Sequence, residues 1–286
     1  MKLVELLGQT EEGLAAAGIE NAAGEARQIV CAVLGVDRAY FFAHGTDEVP
    51  DAQVVQVNQK TVARAFGNPL QYVIGTAAFM DMELGVDDRV LIPRPETELL
   101  AEQAEAFLKQ RCKDAAAQSG AGLRILDLCT GSGAIALYLA RSFPKAAVTA
   151  ADISQPALQV ALYNNSKYDA GLTIVRSDLF ENIEGSFDLI TANPPYIPKA
   201  VIATLDPVVR DKEPHLALDG GEDGLDIVRR LLAEAPSHLH PGGMLLMEHG
   251  HDQGPQTRAL ALAAGFSDAR TLQDLEEHDR ILCAYL

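Results

Sequence analysis

From residue 123 onward the chain alternates short apolar runs with amphipathic stretches, and this alternation restricts the fold more than any other feature. Residues 124–129 predict a first strand, followed by a helix over 134–143. A second strand at 147–151 leads to a helix at 156–168. Strands follow at 172–176 and 187–192, then a helix from about 225 to 238, a Pro241-Gly242-Gly243 turn and a strand at 244–248. Strands joined through helices return parallel to one another. The expected architecture is therefore α/β, a doubly wound and mostly parallel sheet with helices on both faces. The last two runs, 269–272 and 281–285, are too close for a helical crossover and predict an antiparallel hairpin at one sheet edge.

The first 75 residues differ in character. Ala26, Ile29, Val30, Val33 and Leu34 fall on one helical face, with Asn21 as N-cap. Leu3, Leu6 and Leu7 begin a second stripe, and Val54, Val57, Val62 and Phe66 a third, opened by Pro50. Residues 38–44, with Tyr40, Phe41 and Phe42, predict a short helix or turn plugging the bundle. The expected organisation is a helical substrate- or partner-binding domain at 1–75, a β-hairpin linker at 76–98 and a catalytic domain at 99–286. Within the linker, Pro93 and Pro95 hold the chain extended, Glu96 or Thr97 starts a helix over 99–109, and Arg94 is stiffly presented to a carboxylate or a bound peptide. The Ala/Gly/Ser-rich residues 113–122 predict a flexible connection.

Composition excludes several classes. Twenty-three Lys and Arg against 40 Asp and Glu give a net charge of −17, which disfavours a long nucleic-acid duplex as partner, because such affinity rests on cations meeting phosphates. Four scattered cysteines without a C-x-x-C pair predict reduced, cytoplasmic thiols and no metal site. No apolar stretch is long enough to span a membrane, and the N-terminus has no targeting pattern.

The chemistry gathers at strand ends. Thr130-Gly131-Ser132-Gly133 lies between the first strand and its helix, where glycines let a ligand touch backbone and the helix N-terminus favours polar groups. Asp152, with Ile153 after it, ends the second strand and is placed for a ribose diol. Asp178, with Leu179 and Phe180, follows the third strand and suits an adenine amino group. The spacing points to an adenosine-containing cofactor and leaves a dinucleotide and S-adenosylmethionine both open. Asp127 bears on that choice, since a carboxylate below the loop anchors an ammonium and repels a pyrophosphate.

Asn193-Pro194-Pro195-Tyr196 ends the fourth strand. Neither proline has an N–H for a ladder, and the residue before a proline is pushed extended, so Asn193 stands stiffly where ligands bind in such sheets. Its amide oxygen and the Pro194 carbonyl suit an NH₂ group, with Tyr196 packing on its plane; a plain proline turn is the alternative. His249 and His251, flanking Gly250, predict packing or surface placement.

With these residues in place, the chain resembles the HemK/PrmC family of protein glutamine methyltransferases among Rossmann-like class I S-adenosylmethionine-dependent enzymes. The resemblance runs through Pro69-Leu70-Gln71-Tyr72, Leu91 to Glu98, Asp127 to Gly133, Asn193 to Ile197, Val209 to Pro214 with Ala217 to Leu225, and Glu248-His249-Gly250. Cys129 departs from the glycine often found at that loop position. The resemblance implies S-adenosylmethionine as cofactor and S-adenosylhomocysteine as product. It implies as substrate the glutamine of the Gly-Gly-Gln motif in class-1 peptide-chain release factors, with the N-terminal helices helping to hold the factor. It further implies contacts to that substrate from Arg94, Pro95, Glu96, Asn193, Pro194, Pro195 and Tyr196, and no nucleic acid or membrane. Ribosomal-protein glutamine methylation and DNA adenine-N6 methylation are the alternatives within the same chemistry; an NAD-dependent dehydrogenase and a non-enzymatic binding module lie outside it.

Overall fold

The computed structural model describes residues 1–112 and 120–286; most of the connection expected at 113–122 lies outside them. The chain divides into two compact units, Met1–Thr76 with Asp206–Lys212, and Ala77–Leu205 with Glu213–Leu286.

The first unit contains helices α1 (Leu3–Ala16), α2 (Ala22–Leu34), α3 (Tyr40–His44), α4 (Asp51–Ala65) and α5 (Leu70–Ile74). Leu3, Leu6, Leu14, Ala26, Ile29 and Val30 form its core, the stripes that helical periodicity predicts. Gly35, left-handed at φ +67°, ends α2. Asn21 occupies the N-cap position without a side-chain cap bond. On α4 the expected stripe is wrong in its second half: Val57 is buried, but Val62 and Phe66 are exposed. Five residues turn a helix roughly 140° past whole turns, so the face buried with Val57 continues through Thr61 instead, whose hydroxyl is satisfied by the Val57 carbonyl. On α3, Tyr40 and Phe41 are half-buried against this core, as expected of a plug, whereas Phe42 points away and is 94% exposed.

The second unit opens with a hairpin, β1 (Thr76–Phe79) and β2 (Met82–Gly85), whose Phe79, Met82 and Leu84 enter the main core. Buried Asn164 clamps the hairpin's end, accepting from Gly85 N at 2.7 Å and donating to the carbonyls of Gly85 and Ser132. Helix α6 (Pro95–Arg111) starts four residues earlier than expected, because a proline at the first helical position has the right φ and no donor to lose. There follow β3 (Arg124–Leu128), α7 (Ala134–Ser142), β4 (Ala147–Asp152), α8 (Gln155–Tyr168), β5 (Thr173–Arg176), β6 (Phe187–Ala192) and α9 (Lys199–Ile202). After α10 (Pro207–Lys212), which belongs to the first unit, come α11 (Asp226–Glu234), β7 (Leu239–Glu248), α12 (Gly254–Ala263), β8 (Asp268–Gln273) and β9 (Asp279–Tyr285).

The seven strands of the main sheet are ordered β5-β4-β3-β6-β7-β9-β8. The first five are parallel and β9 runs antiparallel to both neighbours, the edge hairpin predicted above. Central β6 is buried throughout except at Asp188, as a strand covered by helices on both faces must be. Strand β7 begins five residues before the expected start and passes through Pro241-Gly242-Gly243 with a register irregularity against β6.

Candidate active site

The chain leaves β3 in one direction to build β4 and β5, then returns to add β6 on its other side. The carboxyl ends of β3 and β6 therefore flank a crevice, and a cavity opens there.

Its floor is the loop after β3. Cys129 and Gly131 are left-handed, at φ +55° and +54°, and Gly133 at +84° begins α7. A cysteine in that conformation costs roughly 1–2 kcal/mol, so the departure at this position is accommodated as strain. A Cβ on Gly131 would meet no atom within 4 Å; the open space there is the cavity that Gly131 lines. The Gly131 amide donates to Asp152 Oδ2 at 2.9 Å, and Ser154 N donates to Oδ1 at 2.8 Å. Asp152 thus ties the loop to the end of β4 and keeps one lone pair on each oxygen; burial raises its carboxyl above the usual range.

Asp127 is fully buried beneath the loop and does not line the cavity. It accepts from Thr130 Oγ1 at 2.5 Å and Thr191 Oγ1 at 2.7 Å. Burial pushes its carboxyl up to about 6, the two hydroxyls opposing. Asp178, Leu179 and Ile153 line the far end of the cavity, with Asp178 Oδ2 3.0 Å from Arg230. Phe180 does not line it: the ring is buried in the core and stacks on His238 at 4.5 Å. Leu179 at φ +49° turns the backbone between these neighbours, which is why one faces the cavity and the next the core.

At the other end, Asn193 and Pro195 line the cavity, whereas Pro194 and Tyr196 do not. A chain of hydrogen bonds runs through this corner. Asn193 Nδ2 donates to Thr97 Oγ1 at 3.1 Å, Thr97 Oγ1 to Glu248 Oε2 at 2.7 Å, and Tyr196 OH to Glu248 Oε1 at 2.9 Å. Burial raises both the Glu248 carboxyl and the Tyr196 phenol above their ordinary values. The backbone of Tyr196 is gripped as well. Gln253 Nε2 donates to its carbonyl at 2.9 Å, and Ile197 pairs with the 218–220 segment through Leu218 O and Gly220 N.

Arg94 is not freely presented. Its guanidinium is paired to Glu213, which is buried and also accepts from Ile92 N at 3.3 Å. Pro95 is exposed at the start of α6, Glu96 is half-buried, and neither lines the cavity. His249 is buried, its Nδ1 on the Gly250 carbonyl; its Nε2 has no partner, alone in this among the buried side-chain N and O atoms of the described residues. His251 is exposed and tilts against His278.

Sequence reasoning missed Thr97 and Glu248 as site residues. Both sit in motifs carrying the family resemblance, yet Thr97 was legible only as a helix start and Glu248 only as a strand end. Among the described residues no group of three or more His, Cys, Asp or Glu is placed to hold a metal ion, and no helix is long and apolar enough to cross a membrane.

Residues 5–75 match the family described as PrmC N-terminal domain, and residues 103–222 match the methyltransferase small domain. The release factor glutamine methyltransferase of Geobacter sulfurreducens is 37% identical over 97% of this chain and 94% of its own length; that of Gloeobacter violaceus is 40% identical over 97% and 96%. Among solved structures, a methyltransferase from Pyrococcus furiosus shares the fold, with a TM-score of 0.51 at 17% identity over 82% of this chain and 98% of that one. Full-length similarity at this level, on a switch-point cavity floored by a glycine loop, shows that the chain belongs to the release factor glutamine methyltransferase family of Rossmann-like class I S-adenosylmethionine-dependent enzymes.

Proposed function

We propose that this enzyme methylates the side-chain amide nitrogen (N5) of the glutamine in the Gly-Gly-Gln motif of class-1 peptide-chain release factors. The observation that carries the reading is Asn193, which lines the cavity: its NH₂ donates to Thr97, which leaves Oδ1 as its acceptor for a substrate.

The cavity suits S-adenosylmethionine. Asp127, buried beneath the cavity floor between two neutral hydroxyl donors, acts through its charge, which favours an ammonium group above the loop and repels a pyrophosphate. The spare lone pairs of Asp152 fit a ribose diol, and Asp178 beside Leu179 fits an adenine edge, with Ile153 covering it. When bound, this cofactor supplies an electrophilic methyl group on a sulfonium sulfur and leaves as S-adenosylhomocysteine.

The acceptor is a poor nucleophile, because its lone pair is delocalised to an extent measured by a rotation barrier of about 18–20 kcal/mol. Asn193 Oδ1 and the Pro194 carbonyl accept its two N–H bonds. They aim the lone pair into the cavity and stabilise the positive charge that grows on nitrogen, the inverse of an oxyanion hole. Tyr196, its hydroxyl fixed by Glu248, lays its ring on the amide plane. Positioning supplies much of the remaining acceleration, and the surplus proton leaves to water after the N–C bond has formed. The helical first unit, matching the PrmC N-terminal domain, helps hold the release factor. Such a substrate places the enzyme in the cytoplasm, in keeping with its free cysteines.

The test is transfer of label from S-adenosylmethionine to an unmethylated release factor, its Gln→Ala variant in the Gly-Gly-Gln loop, ribosomal proteins and unmethylated DNA. Label on the wild-type factor alone supports the reading. Label on ribosomal protein alone keeps the chemistry and changes the partner, and label on DNA overturns the substrate.

A further inference from the structure

We propose that Thr97 and Glu248 form a positioning relay that decides which end of the Asn193 amide faces the substrate. The inference rests on the reading that Asn193 Oδ1 accepts from the substrate amide, and adds what holds that oxygen in place.

The argument is one of proton direction. Glu248 is 1% exposed, and an ionised carboxylate only accepts. Both of its partners must therefore donate: Tyr196 OH to Oε1 and Thr97 Oγ1 to Oε2. A hydroxyl has one proton. Having given it to Glu248, Thr97 can only accept from its other neighbour, so the Asn193 atom 3.1 Å away has to be the NH₂. The two ends of an amide are told apart only by such a network, and with Glu248 as the carboxylate this one admits a single orientation. Oδ1 is then on the branch away from Thr97. Turned through 180°, the amide would present N–H to N–H and repel the acceptor.

The fold makes the relay stiff. Ala192 pairs with Met247 in the parallel register of β6 and β7, so Asn193 and Glu248 leave neighbouring strand ends side by side, and Thr97 enters from the first turn of α6. The charged groups around Glu248 are Arg280, which favours the carboxylate, and Glu96, which opposes it.

The experiment uses the full-length enzyme with Thr97→Val, which keeps the shape and removes the hydroxyl, Thr97→Ser, which restores it, and Glu248→Gln, which puts a donor where the relay needs an acceptor. Thr97→Val and Glu248→Gln should lower kcat about 10- to 100-fold, the range for residues that orient a primary contact. KM for the release factor and the cofactor Kd should stay within about threefold. Thr97→Ser should regain most of the turnover. A second readout is independent of activity: hydrogen exchange of the Asn193 side-chain NH₂ by ¹⁵N NMR, its signal identified by loss in Asn193→Ala. It should be slow in the wild type and in Thr97→Ser, and fast in Thr97→Val. Wild-type turnover or unchanged exchange in Thr97→Val overturns the relay, as does an equal loss in Val and Ser variants. Wild-type turnover in Asn193→Ala overturns instead the reading of the reaction beneath it.

Discussion

Thr191 Oγ1 lies 2.7 Å from Asp127 Oδ1 because the parallel pairing of β6 on β3 sets the two residues opposite each other. The hydroxyl partly offsets the burial that raises this carboxyl to about 6. A raised native pKa means that the folded protein holds the proton more tightly than the unfolded chain. Asp127 therefore stabilises the cofactor-free fold most below the unfolded value near 3.9, and that contribution, on the order of 3 kcal/mol, is lost as pH rises through about 6. Thermal melting of the cofactor-free enzyme should show Asp127→Asn matching or exceeding the wild type at pH 7, with the difference shrinking towards pH 5.

Cofactor affinity should move the other way. A bound ammonium favours the carboxylate, so S-adenosylmethionine binds more tightly as pH rises from 5 to 7, with a proton released. Calorimetry in two buffers of different ionisation enthalpy measures that proton. In Asp127→Asn the affinity should be weak and its pH slope flat.

Asn193→Ala removes the acceptor without touching the aspartates of the cofactor end. Turnover on an unmethylated release factor should fall about 100- to 1,000-fold, the usual cost of one preorganised contact to developing charge. The cofactor Kd should stay within about threefold. Parallel losses in both would mean that Asn193 serves the cofactor instead.

Gly224 is left-handed at φ +78°, and a Cβ there would collide with the Tyr196 carbonyl oxygen and press on Gln253 Nε2. Gly224→Ala should cost about 2–4 kcal/mol, combining left-handed strain with overpacking. Because the collision falls on the backbone of Tyr196, turnover should drop beyond what the loss of folded protein explains. Denaturant melts and single-turnover rates on the same preparation separate the two.

Arg94→Ala leaves Glu213 buried with, among the described residues, the Ile92 N–H as its remaining partner. Stability should fall by about 1–3 kcal/mol, less than for a fully buried pair because Arg94 is itself part-exposed. KM for the release factor should change little. A large rise in KM at unchanged melting temperature would return Arg94 to the substrate.

What the sequence by itself determined is what short-range rules control. Alternation of strand and helix specified the parallel sheet and its edge hairpin, because each element is set by its own periodicity and by the length of its crossover. The glycine loop and Asn-Pro-Pro-Tyr were legible for the same reason: glycine and proline act on their own backbone and on their immediate neighbours. The helical face of α4 past Val57 and the direction of Phe180 were misread because a side chain's facing depends on what packs against it. The corner around Asn193 was beyond local reading altogether. Thr97 and Glu248 are 151 positions apart, Asn193 and Thr97 96 apart, and hydrogen-bond direction has no signature in composition or spacing. Only the tertiary structure, by seating α6 beside the ends of β6 and β7, brought one hydroxyl between a carboxylate and an amide and so set the hydrogen bonds that Asn193 makes.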